Sequence, residues 1–153
     1  MANERILIAR LWIARAILLL GTLLYFRIGL RFMLDPTPTI ARFGITLDQP
    51  VAITTVRAIV GALFFGLGTT ALTGLVFRSQ TANSLRVIVS FIFFVLCGRV
   101  VGLQMDGSDP ITISELRNES IAFAVYALAL ALALVPRQAL PGPTAGPISG
   151  EAK

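Results

Sequence analysis

The sequence predicts an all-α membrane protein, a four-transmembrane-helix bundle with both termini on the cytoplasmic side. Three observations carry the prediction. Four apolar stretches, Leu11–Leu34, Ala58–Phe77, Val87–Leu103 and Ile121–Val135, occupy most of the 153 residues. Hydrophobic residues make up 56% of the chain against 14% charged, and mean hydropathy is +0.82, which leaves too little charge to cover a soluble domain of this length. A hydrocarbon core of roughly 30 Å takes about 20 helical residues at about 1.5 Å each, a length the stretches meet once their flanks are counted.

The first helix is expected over about 4–34. Asp35-Pro36 stops it, because proline cannot continue the backbone ladder and restricts the residue before it. Arg15 and Arg27 leave eleven uncharged residues between them, so both side chains must snorkel outward or find polar company. Trp12 suits the inner aromatic belt. The run is long and lacks a small-residue cleavage site, so it reads as a retained helix and not a signal peptide.

The connection that follows holds Pro36, Pro38 and Gly44 around an apolar element at Ile40–Ile45 that suits a short interfacial helix. The second long helix is expected over about 49–77, with Asp48 as its cap and Pro50 in its first turn. A polar turn from Arg78 to Ser84 leads to the third, over about 85–104, which Asp106-Gly107-Ser108-Asp109-Pro110 closes. The fourth is expected over about 113–135, where Thr112-Ile113-Ser114-Glu115 has the spacing of a capping box. Alternating Ala and Leu from Tyr126 mimics a strand, but these are strong helix formers. The tail, 136–153, is rich in Pro and Gly, cannot bury a core, and is expected to be a disordered cytoplasmic extension.

Charge placement sets the orientation. Arg5, Arg10, Arg15, Arg78, Arg86, Arg137 and Lys153 flank one side with Glu4 and Glu151. On the other side six arginines, Arg27, Arg31, Arg42, Arg57, Arg99 and Arg117, meet six acids, Asp35, Asp48, Asp106, Asp109, Glu115 and Glu119. The basic excess of the first group points the termini and the second loop inward. Arginines dispersed over helix ends form no single basic surface, so no nucleic-acid partner is expected. The chain has no histidine, which removes His-ligated haem, most zinc chemistry and Ser-His or Cys-His pairs; no metal site is expected. Cys97, the single cysteine, sits in an apolar run and is expected to be a buried, inert thiol.

Four charges lie inside the spans. Arg27 is eight residues before Asp35, Arg57 eight after Gln49, Arg99 seven before Asp106 and Glu119 seven after Thr112. At about 1.5 Å per residue each falls roughly 10 to 12 Å below the outer end of its helix, so the four are expected to share a layer. A charge at that depth costs several kcal/mol unless paired, hydrated or snorkelled. Glu119 is deep enough to pair with Arg99 or Arg57; either Asp35 and Asp106 fold back to balance the remaining arginines, or an anionic or amphipathic ligand does so. Gly61 and Gly68, with Gly98 and Gly102, suit close helix packing, and the bare backbone at Gly61, Gly98 and Gly102 also leaves room beside the arginines. Tyr126 lies on the face of Glu119 and is expected to line the same cavity. A purely structural ion-pair cluster, a ligand or partner site, and simple snorkelling of Arg27 and Arg57 all remain open readings of this layer.

Phe32-Met-Leu-Asp-Pro36, Phe43-Gly-Ile45, Arg57-x-x-x-Gly61, Gly98-Arg99-x-x-Gly102 with Asp106-Gly107, and Glu119 together resemble an uncharacterised family of small bacterial four-helix membrane proteins. That family is itself distantly similar to the DoxX-like group. The resemblance spans about Leu11 to Val135 and implies a multi-pass protein of the bacterial inner membrane with those polar positions in common. The wider group's association with quinone-linked redox systems implies an accessory subunit, with quinone or lipid as conceivable ligands and no cofactor of the chain's own. Fold-level analogy is weak warrant for function.

The function expected from the residues is noncatalytic: an outer-leaflet Arg/Glu cluster that binds an anionic or amphipathic ligand or docks a membrane subunit. Two alternatives stand beside it. One is an integral enzyme, an isomerase or quinone-linked oxidoreductase, using Glu119 as acid or base. The other is a small transporter, which at four helices would need a homo-oligomer.

Overall fold

The computed structural model describes residues 2–134, so the expected tail at 136–153 lies outside the described residues. The chain runs α1 (Ala2–Leu34), α2 (Pro36–Ala41), α3 (Pro50–Val56), a π-helical turn (Arg57–Gly61), α4 (Ala62–Val76), a 3-10 turn (Arg78–Gln80), α5 (Thr81–Met105) and α6 (Pro110–Leu134). No strand occurs among the described residues. Four segments, Ile8–Leu34, Pro50–Val76, Arg78–Met105 and Pro110–Leu134, are long and apolar enough to cross a membrane. With this composition, they make the chain a small multi-pass membrane protein.

The buried face of each helix repeats every three or four residues. On α1 it is Ala14, Leu18, Gly21, Thr22, Tyr25, Gly29 and Phe32; on α5 it is Thr81, Ser84, Leu85, Ile88 and Ile92. That spacing lays one stripe of a helix against its neighbours. α1 packs against α4 and α6, α4 packs against α5, and α5 packs against α6. The core joins Leu18, Tyr25, Leu67, Leu85, Ile88, Ile92 and Tyr126, with small residues Ala14, Ala71 and Ala129 where helices approach. Large apolar residues such as Leu20, Phe94 and Val101 remain exposed, as expected where the solvent is lipid.

Glycines set the closest contacts. A Cβ at Gly68 would stand 3.0 Å from the Phe26 ring, and one at Gly61 would stand 3.0 Å from Met33 Cγ. At Gly74 it would stand 2.6 Å from Ser84 Cβ. Gly61 and Gly68 thus pack helix on helix. Gly98 and Gly102 do not: a Cβ at Gly98 would meet nothing within 4 Å, and one at Gly102 only the Asp106 carboxylate at 3.7 Å.

Several boundaries differ from the sequence reading. α5 begins at Thr81 and not near 85, because the Thr81 hydroxyl donates to the Gly74 carbonyl at 2.8 Å and Ser84 seats on bare Gly74. α3 is capped at Gln49 without a side-chain bond, so Asp48 does not serve as its cap. α6 begins at Pro110 and is capped by Asp109. Its carboxylate accepts from the N–H of Ile111 at 2.7 Å and of Thr112 at 3.1 Å, which displaces the expected Thr112/Glu115 box. The short helix after α1 occupies Pro36–Ala41, earlier than Ile40–Ile45. Cys97 is exposed and not buried; in a helix that is apolar all round, hydrophobic neighbours in sequence do not mean the protein interior.

At the opposite end, Arg15 reaches the last turn of α4. Its Nε and Nη2 donate to the Leu75 carbonyl at 3.1 and 2.6 Å, and its guanidinium lies 5.3 Å from the Trp12 ring centre. The polar company expected for this arginine is therefore a helix C-terminus, where free carbonyls carry partial negative charge.

Candidate functional site

The ends of α5 and α6 that meet at the turn before Pro110 hold the one salt bridge among the described residues. Arg99 Nη2 lies 3.0 Å from Glu119 Oε1, and Arg99 Nε donates to Oε2 at 3.1 Å and to Oε1 at 3.3 Å. The guanidinium fork thus engages both carboxylate oxygens, the geometry in which an Arg–carboxylate pair is strongest. The side chains keep 28% and 21% of their surface exposed, so the pair sits at the edge of the protein. Phe93 on α5 lies 6.3 Å from Phe123 on α6, one and a half turns deeper, and fixes the register that makes 99 and 119 level.

A cleft of about 480 Å³ opens beside this pair. Gly98 and Gly102 are its floor and Arg99 one wall; Asp106, Asp109 and Thr112 surround its mouth. The two glycines keep the floor bare, since no other side chain fills the space a Cβ would take at Gly98. Arg99 uses Nε and Nη2 on Glu119, and Nη1 makes no hydrogen bond within the described residues. One edge of the guanidinium is therefore available to the cleft. The Thr112 hydroxyl bonds the Asp109 carboxylate, and this bond, with the N–H groups of Thr112 and Ile111, holds the Asp109 carboxyl below the usual carboxylate range.

The expected four-charge layer is joined at two positions. Arg27 and Arg57 are exposed and form no salt bridge among the described residues. Depth explains the separation. Phe26 packs on Gly68, which puts Arg27 nearly level with that glycine, whereas Arg57 lies eleven residues before it, about 16 Å along the axis. Met33 at the end of α1 meets Gly61, so α3 extends beyond α1, and counting inward from helix ends does not give equal depths.

The other positions divide. Asp106 lines the cleft, while Asp35 is exposed at the start of α2, its side chain making no cap bond. Tyr126 does not line the cleft. It is 6% exposed, stacks 6.2 Å from Tyr25, and its hydroxyl fills the space at Gly21. Two turns along α6 from Glu119 it shares that residue's inward face, and there the inward face is packed core. Asp109 and Thr112 line the cleft beyond the site residues expected from sequence, although Asp109-Pro110 has the cap-then-proline order that opens a helix and points to Asp109 there.

Residues 13–116 match a family model described as a domain of unknown function, DUF4345. Comparison with curated proteins gives no match, and comparison with solved structures gives none. The matched segment takes in Arg99 and the acidic mouth of the cleft and ends three residues before Glu119. Covering well over half of the sequence, this match identifies the chain as a member of the DUF4345 family.

Proposed function

We propose that this protein is a noncatalytic component of the bacterial inner membrane, with both termini in the cytoplasm, whose cleft between α5 and α6 binds an amphipathic membrane ligand. The observation that carries the reading is Arg99, held by Glu119, forming one wall of an open cleft with a glycine floor. Below it, Phe94 is one turn from Gly98 on the same face of α5 and is 70% exposed, offering an apolar track continuous with the polar cleft. A head group at Arg99 and a chain over Phe94 suit a molecule with both characters. The basic flanks at the termini and around Arg78 and Arg86 support the orientation, which puts the cleft on the periplasmic side.

The same cleft supports docking of a membrane subunit, including a redox partner, less well: its floor is bare glycine backbone with no side chain to anchor a helix, which suits a small head group. An acid or base role for Glu119 has less support again, because both of its oxygens accept from Arg99. The test is ligand retention. Purified full-length chain should carry a copurifying lipid or quinone that is lost in Arg99→Ala and Glu119→Gln variants that still fold. Identical copurification by parent and variants would reject the reading.

A further inference from the structure

We propose that the ligand of this cleft carries a primary ammonium beside a hydrogen-bond-accepting group, the chemistry of a phosphoethanolamine head group, and is not a net anion. The inference rests on the proposed ligand site above and adds its charge preference. Counting the arginines of the outer half by sequence gives a basic excess, but the cleft itself has the opposite balance. Arg99 is its one cation; Arg27 and Arg57, which would supply the excess, are not among its lining residues. Against Arg99 stand Glu119, which already neutralises it, and the carboxylates of Asp106 and Asp109 at the mouth.

An anion entering here gains one guanidinium edge and meets two carboxylates, Asp106 and the α6 cap Asp109. A zwitterion meets complementary charge at both places. Its phosphate oxygens can accept from the free Nη1 edge of Arg99, while its ammonium donates toward Asp106 and Asp109. Asp106, the residue that caps the end of α5, is seven residues from Arg99, about 10 Å between backbone positions, and its Oδ2 turns back to within 3.7 Å of the space above Gly102. The acid therefore leans over the cleft floor toward Arg99. A divalent metal is the weaker occupant, because no three His, Cys, Asp or Glu side chains gather to hold one among the described residues. The exposed Phe94 below the floor favours a lipid over a free head group.

The experiment is native mass spectrometry of the delipidated full-length chain offered equimolar phosphatidylethanolamine, phosphatidylglycerol and phosphatidylcholine, with soluble glycerophosphoethanolamine as a competitor. Wild type is expected to retain phosphatidylethanolamine over phosphatidylglycerol by roughly fivefold to tenfold, the sum of two modest charge contacts. Asp106→Asn, and Asp106→Asn with Asp109→Asn, should bring that ratio to within about twofold; asparagine keeps the α6 cap, so the double variant folds. Gly98→Leu, whose Cβ has open space around it, fills the floor and should abolish retention. Preferential retention of phosphatidylglycerol that Gly98→Leu blocks would overturn the ammonium inference and leave the ligand site standing. Retention of every lipid at Gly98→Leu levels by wild type would overturn both. Full competition by the soluble head group would overturn the lipid source while supporting the ammonium chemistry.

Discussion

Replacing Arg99 with methionine keeps an unbranched stem, removes the guanidinium, and leaves Glu119 with neither of its hydrogen-bond donors. At the observed 3.0 Å the gross attraction of the pair is about 5.5 kcal/mol with an effective dielectric of about 20. Desolvation of both groups offsets much of this, and side-chain exposures of 28% and 21% reduce it further. A coupling of about 1–2 kcal/mol remains after those losses. Arg99→Met and Glu119→Gln alone should each cost about 2–3 kcal/mol, because each strands one charged or polar group at the edge of the bilayer core. For a chain of this size that is a fall in Tm of roughly 4–10 °C. Unfolding of the two single variants and of the double variant in lipid bicelles, followed by circular dichroism, closes a double-mutant cycle. The double variant is expected to be more stable than the sum of the two losses predicts. Additivity within about 0.5 kcal/mol would refute the pairing, since residues that do not interact add to within that margin.

Three further outcomes follow from the packing and the caps. Gly21→Ala puts a methyl into the Tyr126 hydroxyl, with Cζ 3.1 Å away, and should destabilise by about 1–3 kcal/mol, whereas Gly98→Ala should be close to neutral; thermal melts of the two side by side check the contrast. Arg15→Met leaves the Leu75 carbonyl without its two donors and should lower stability by about 1–3 kcal/mol in the same assay. The cap on α6 should depend on pH with a definite sign. Because the Asp109 carboxyl is held below its ordinary value of about 3.9, the cap is fully present above that pH and is lost as pH falls through the depressed value. Hydrogen exchange at Ile111 and Thr112 should show that loss, and should show no such pH dependence in Asp109→Ala.

The four spans were legible because composition and length alone call for a bilayer, and Asp35-Pro36 and the 106–110 turn mark two of their ends. The start of α5 was not, since it depends on a bond from Thr81 back to Gly74 and on a glycine one helix away. Sequence distances put Glu119 level with both Arg99 and Arg57 and leave the choice open; the pairing in the structure is with Arg99, across the short turn that joins α5 to α6. The same count fails for Arg27 and Arg57, because the span that carries Arg57 begins beyond the end of α1, which carries Arg27. Facing was hardest to read. In a helix that is apolar all round, nothing in the residue pattern told that Cys97 is exposed, that Tyr126 enters the core, or that Gly98 is open while Gly68 is filled.

A density map of the full-length chain in lipid nanodiscs tests most directly whether the cleft between α5 and α6 holds a molecule. The expected map has Arg99 and Glu119 joined, with ordered density that begins at the free edge of Arg99, crosses the bare backbone of Gly98 and runs toward Phe94. A map in which the two side chains part toward lipid, or in which the protein's own side chains close the space over Gly98 and Gly102, would contradict it.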